Sequence, residues 1–586
     1  MKTHLVTCSY RIQSIKEYLE RHDELLIFSL SFLIEILFGL MLVYKYGNTF
    51  FNMDSASYLY HARTAIDNGI YSGLASLVGT WLPFFELTQV PFVKFDILYT
   101  TGFSGTIVNA FMTGGICVYL YRLIGGKGNR FSVLAPVIFL SNIYALIYGA
   151  IPMTEQASVF FLVAASYYFK SYLNTGELRK YILCSVMLVF GSLTKYEFWF
   201  VVIFTVLVFS LNEVAVKRNT HRIGYACLPL IGIMVWLFTN LMIHRDMFWF
   251  NDNPSSNFMQ TTFYPPYFTD DILLTLKHAF IQIDMTYGVL LYLAVVSIIL
   301  LIILGKNDLV LISAMFFIPS IVNVVLMYQG HSAGWQRYFY TQFPGIIFLA
   351  ILLLENAILI FSFLNKNEAV YIKGVFDKYR HNFDVTLLIL FMIAGITVAG
   401  AALSMSADKS VDMVLFKPDN RPWIYQGLDI SNDRIFFKIE NEIKPFITDF
   451  SFDFLNRTKY RSYREVKNLT GTEKILMPSY MVSDSEPGIR ADMFSVSEGI
   501  SPEQLIDGFD YKEYQKIMKE PWNYVRYVIV VPIENRVASN ISKWYGGEFY
   551  LYNFYYNETW RSEFLDRYEP VLDDMNFKLF KLKGEI

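Results

Sequence analysis

Residues 51–63 read Phe51-Asn52-Met53-Asp54-Ser55-Ala56-Ser57-Tyr58-Leu59-Tyr60-His61-Ala62-Arg63 and come shortly after an apolar run that starts near Leu25. That run is about 20 residues long, which is what a helix needs to cross a hydrocarbon core of roughly 30 Å. It has no small-residue cleavage site, so it reads as a true span. Asp54 then falls where the span ends and the chain meets water on the far side. Spacing i, i+4, i+7 puts Asp54, Tyr58 and His61 on one face of a short interfacial helix. A base would be seated above a bilayer in this way. The plainer alternative makes Asp54 only the N-cap of that helix, a position Asp favours.

Over the whole chain, 54% hydrophobic and 17% aromatic residues with a positive mean hydropathy exclude an ordinary soluble multidomain protein. The expected class is a polytopic α-helical membrane protein. From residue 404 onward the chain carries about half of its 49 Lys+Arg and 52 Asp+Glu. This shift predicts three parts: a cytoplasmic tail over 1–24, a transmembrane module over 25–403 and a soluble domain over 404–586. No basic block is large enough for nucleic acid. Cys8, Cys117, Cys184 and Cys227 lie in the tail or in apolar runs without metal-ligand spacing, so neither disulfides nor zinc are expected.

Eleven runs can cross a membrane, at 25–44, 98–121, 131–150, 156–173, 181–194, 198–211, 223–243, 285–304, 309–328, 341–363 and 384–403. The fifth and sixth are short and meet at Thr194-Lys195-Tyr196-Glu197, so one bent span is the alternative. With eleven spans and a cytoplasmic N-terminus, most Lys and Arg before residue 404 fall inside, as the positive-inside rule asks. The C-terminal domain then lies outside, on the same face as loops 45–97, 244–284 and 329–340. The expected location is the cell membrane, or the ER membrane in a eukaryotic host.

In the first of these loops, Trp81-Leu82-Pro83 and Val90-Pro91-Phe92 punctuate short aromatic-rich helices suited to the interface. The 251–271 stretch contains N-D-N-P-S-S-N and Y-P-P-Y, an irregular segment of the kind that gates a site. β-Branched runs such as Tyr527-Val528-Ile529-Val530-Val531 among polar helical stretches make the last domain α/β or α+β. Its four sequons, at Asn456, Asn468, Asn540 and Asn557, agree weakly with an outer placement.

Three polar clusters meet at the outer ends of the spans. Asp54, Tyr58 and His61 form one; Glu155, in Pro152-Met153-Thr154-Glu155, forms the second; Lys195 and Arg337, with His331 close by, form the third. Tyr196 and Tyr338 flank the cations and are candidates for the cavity wall. Each residue has a plainer reading: Glu155 can cap a span, and Lys195 can snorkel or pair with Glu197. Arg337 resists one, because it is the only cation in its short outer loop. Glu35 lies mid-span, where an ionisable group needs a partner, and an Asn or hydroxyl on another helix is expected.

One carboxylate with two cations at the lip of a membrane suits group transfer from a lipid phosphate. The base takes the acceptor's proton and the cations hold the departing charge. Arg binds two phosphate oxygens at once, whereas Lys adds a point charge, and His331 is a third candidate contact to that phosphate. A single base implies single displacement and inversion at the sugar.

N-M-D-S-A-S-Y-L-Y-H-A-R, W-L-P-F-F-E-L-T-Q-V-P-F, P-M-T-E, L-T-K-Y-E-F-W and Q-R-Y-F, in this order over residues 25–345, resemble integral-membrane glycosyltransferases of the GT-C superfamily. The nearest group is that of protein O-mannosyltransferases and aminoarabinose transferases. The resemblance implies a polyprenyl-phosphate sugar donor with a lipid, polysaccharide or protein acceptor. It also implies Asp54 as base, Glu155 as a second acid in the cavity, and Lys195 and Arg337 on the donor phosphate. Many relatives have an acidic pair where this chain has Met53-Asp54, and Arg where it has Lys195. A divalent metal is compatible with the resemblance, but the missing acidic neighbour removes its usual support. A flippase for a lipid-linked sugar would also need outer-face cations, yet such transporters show internal repeats and this chain shows none. A scaffold that binds surface polymer is the third reading.

Overall fold

A computed structural model describes residues 23–364 apart from 51–52, 68–76, 78–80, 130, 253–267 and 333. Of the C-terminal third it describes 461–477, 495–496, 499–506, 511–530, 558–573 and 577–584. The tail before residue 23, residues 253–267 of the candidate gate at 251–271, the span expected at 384–403, the boundary at 404 and the sequons at Asn456, Asn540 and Asn557 lie outside these residues.

Among the described residues, six helices are long and apolar enough to cross a membrane, or up to eight if each of two bent pairs counts as one span. Helix α1 (Asp23–Tyr46) buries Ile27, Ile34, Phe38 and Leu42 along one face against α2 (Phe103–Ile124). The opposite face keeps Leu33, Leu37 and Leu40 exposed, as lipid contact requires. Helix α2 packs in turn on α3 (Glu155–Thr175), and α3 on α4 (Leu178–Ser192). Glu35 is fully buried in α1 near the Thr113 hydroxyl of α2, but that hydroxyl donates to the Asn109 carbonyl at 2.9 Å and neither Glu35 oxygen has a hydrogen-bond partner among the described residues, so the expected partner is not found.

The run at 131–150 is two short helices, Leu134–Leu140 and Ile143–Ala150, rather than one. Asn142 turns extended between them, and its side chain accepts from Tyr144 N–H to start the second. A bend of 110° then leads into α3. Asn109 Nδ2 holds this bend through the carbonyls of Tyr148, Ile151 and Met153 at 2.6–3.1 Å. Gly105 allows α2 to approach so closely, since an added Cβ would stand 2.2 Å from Pro152 Cβ.

The aromatic stretch expected at the interface forms α5 (Met53–Asp67) and α6 (Phe84–Val93), which pack on each other. The C-terminal region forms a five-stranded mixed sheet in the order β2-β1-β3-β5-β4. Its strands are β1 (Ile475–Leu476), β2 (Leu505–Ile506), β3 (Tyr527–Val530), β4 (Tyr568–Asp573) and β5 (Lys578–Leu582). β1 pairs in parallel with β2 and β3, and β5 runs antiparallel to β3 and β4. This region docks on α5 and on the short helix Asp96–Thr101: Ala56, Leu59 and Tyr60 of the first and Tyr99 of the second share a buried cluster with Val466, Ile475 and Trp522. The Tyr99 hydroxyl lies 2.5 Å from Ser495 Oγ, and Ser501 Oγ donates to Asp67 at 3.1 Å. The sheet region therefore covers the helix that carries Asp54.

Candidate active site

Asp54 sits in the first turn of α5, where the helix dipole favours an acid. Its side chain does not act as a cap, however. Asp54 Oδ2 accepts from Arg337 Nη1 at 2.6 Å, a contact between residues 283 apart in sequence. Arg337 belongs to a 3-10 turn, Gln336–Gln342, which leads into α7 (Phe343–Leu364). Asp54 is 27% exposed against 13% for Arg337, so the carboxylate is the more open partner.

Glu155 is the first residue of α3, directly after the bend that Asn109 clamps. Its Oε1 accepts from Lys195 Nζ at 3.2 Å, with side chains only 2% and 10% exposed. Lys195 thus pairs across to Glu155, not with its neighbour Glu197. Its backbone is fixed by the end of α4, where Lys195 N–H donates to Gly191. Helices α4 and α8 (Phe198–Leu211) are separate, and the Lys195 segment is the turn between them.

The two pairs adjoin. Arg337 Cζ stands 4.5 Å from the Trp335 ring centre and 5.3 Å from Tyr338, and Lys195 Nζ stands 5.9 Å from the same Tyr338 ring. Tyr58 faces both acids: burial, then Glu155, then Asp54 push its phenol well above the ordinary value. Asp54, Tyr58, Glu155, Lys195, Arg337 and Tyr338 therefore share one end of the helices.

His61 lies on the face of α5 expected from its spacing but two turns, about 10 Å, beyond Asp54. There its Nδ1 meets Glu86 Oε1 at 2.8 Å, both side chains buried, with Trp81 beside the imidazole. Burial holds the Glu86 carboxyl above its usual range, partly offset by His61. Tyr196 packs against Phe250 and Trp199 in an aromatic group with Trp236. His331 is fixed by its backbone N–H to the Leu326 carbonyl at 2.7 Å, and partial burial lowers its pKa. Sequence reasoning missed Glu86, whose signal is an acid within Trp81-Leu82-Pro83-Phe84-Phe85-Glu86, and Gln156, next to Glu155.

No group of three or more His, Cys, Asp or Glu among the described residues is placed to hold a metal ion. Asp54 and Glu155 each face a cation, so these residues do not fit a divalent-metal site.

The fold and the cluster define a polytopic helical membrane protein with a small mixed sheet and two acid–cation pairs at one end of its helices. The sequence matches no protein-family profile and none of the curated proteins. Among solved structures it is similar to ArnT from Cupriavidus metallidurans bound to undecaprenyl phosphate, at 9% identity and a TM-score of 0.45, over 95% of this chain and 97% of that one. It is also similar to the oligosaccharyltransferase AglB from Archaeoglobus fulgidus in complex with an inhibitory peptide and a dolichol-phosphate, at 11% identity and a TM-score of 0.43, over 92% and 73% of the two chains.

Proposed function

We propose that this protein is an inverting glycosyltransferase that moves a sugar from a polyprenyl-phosphate donor to an acceptor on the outer face of the membrane. The observation that carries this reading is the meeting of one partly open carboxylate, Asp54, with Arg337 at 2.6 Å beside the Glu155–Lys195 pair. An acceptor hydroxyl attacks the anomeric carbon and Asp54 takes its proton. The bond from that carbon to the phosphate oxygen breaks, and the polyprenyl phosphate leaves with its charge held by Arg337 and Lys195. Because a phosphate is a good leaving group, no acid has to protonate it.

Without donor, Arg337 holds Asp54 in an ion pair. A donor phosphate competes for the guanidinium and releases the carboxylate, so the base is freed when there is something to transfer. Glu155 keeps Lys195 at the same Tyr338 ring as Arg337, which spaces the two cations for one phosphate. Tyr58 and Tyr338, which stand beside the two pairs, line the sugar site in this reading, and His331 is a further candidate contact to the donor phosphate.

Full-length protein in nanodiscs, given labelled polyprenyl-phosphate sugars and candidate acceptors, tests this. The expected result is acceptor-dependent release of polyprenyl phosphate with an inverted anomeric centre. Movement of the intact donor across the bilayer without cleavage would replace this reading by a flippase.

A further inference from the structure

At the opposite end of the helices, an open cavity of about 650 Å³ lies between the start of α1, the end of α2 and the facing ends of α3 and α4. Tyr167 in its wall is twelve residues along α3 from Glu155, about 18 Å at helical rise, so the cavity is remote from the acid–cation pairs. Its volume is within the range that accepts a small-molecule headgroup.

Four of its lining residues are cations, namely Arg122, Lys127, Arg179 and Lys180, against the single acid Glu24. Two of them are already engaged. Arg122 Nε donates to Glu24 at 2.9 Å, and Lys127 pairs with Asp23 at 3.2 Å. No ion pair among the described residues includes Arg179 or Lys180, so the cavity keeps an excess of positive charge. Topology alone puts Lys and Arg on one side of a membrane, but it does not gather them around a concavity.

One turn along α4 from these cations, Ile182, Val186 and Phe190 continue at i, i+4, i+8 as an exposed apolar stripe. Tyr167 and Tyr168 wall the other side, and the Tyr168 hydroxyl lies 3.0 Å from that of Tyr119. Tyrosines of this kind sit at headgroup depth. A free phosphate would satisfy the cations and leave the stripe unused, whereas a lipid uses both.

We propose that this cavity binds the phosphate headgroup of an anionic membrane phospholipid, with an acyl chain along Ile182, Val186 and Phe190. Basic pockets between the ends of transmembrane helices recognise anionic headgroups by this chemistry. The zwitterionic phosphatidylcholine brings a cation of its own and competes poorly.

The test is native mass spectrometry of the full chain released from vesicles of phosphatidylcholine with a minor share of phosphatidylglycerol. Wild-type protein should retain phosphatidylglycerol. The Arg179→Gln, Lys180→Gln double variant should lose it by about thirtyfold, the contribution of two basic residues near a membrane surface. The charge-preserving exchange Arg179→Lys, Lys180→Arg should keep it, and millimolar inorganic phosphate should not displace it. Equal retention in the double variant, equal retention of phosphatidylcholine by the wild type, or displacement by inorganic phosphate would each overturn the assignment.

Discussion

The Tyr340 hydroxyl donates to Gln156 Oε1 at 3.0 Å, tying the 3-10 turn that carries Arg337 to the residue next to Glu155. Both groups are buried, and Tyr340 also lies 4.8 Å from Tyr148, ring centre to ring centre. This hydrogen bond therefore links the two segments that carry the acid–cation pairs.

Tyr340→Phe removes that bond and leaves the Gln156 carbonyl unsatisfied. The expected cost is about 1–3 kcal/mol of stability, together with a fall in kcat larger than any rise in KM. Thermal unfolding in detergent and donor-dependent turnover would check the two effects separately. Unchanged kcat would show that the spacing of the pairs does not matter.

Lys195→Met leaves Glu155 as an uncompensated buried charge, which costs about 3–5 kcal/mol. Adding Glu155→Gln should recover most of the lost stability but not the lost activity, because the cation for the phosphate is still missing. A double-mutant cycle read by both melting and turnover separates the structural from the catalytic share.

Much of this arrangement was legible in the sequence, for a physical reason. Each of Asp54, Glu155, Lys195 and Arg337 sits where an apolar run ends, and charge at such a boundary is visible without a structure. The pairing was not legible. Nothing in the spacing joins Asp54 to Arg337 across 283 residues, and Glu197 looked the nearer partner for Lys195. The break of the 131–150 run at Asn142 was hidden because apolar composition measures length but not continuity. His61 fell on the expected face of α5, but periodicity reports direction and not depth, so its bond to Glu86 went unseen.

Arg337→Lys should keep a point charge near the donor but lose the planar fork that binds two phosphate oxygens at once. We expect a rise in donor KM and a fall in kcat/KM of about tenfold to a hundredfold, with Arg337→Ala worse by a further factor of about ten. Steady-state kinetics against donor concentration would check this, and an unchanged donor KM in Arg337→Ala would remove the residue from phosphate binding.

Gly105→Ala forces a Cβ to within 2.2 Å of Pro152 and must shift the bend that places Glu155. The expected destabilisation is about 1–3 kcal/mol, as for other overpacked cores. Loss of activity should exceed what the melting shift explains, because the Glu155–Lys195 pair moves with the bend.

The most direct measurement is turnover of a labelled polyprenyl-phosphate sugar by Asp54→Asn, with melting temperature and donor binding recorded on the same preparation. Asn can still accept from Arg337 but cannot take a proton, so turnover should fall by about 10²–10⁴-fold while melting and donor binding stay close to wild type. Wild-type turnover in Asp54→Asn would contradict the assignment of that carboxylate as the base.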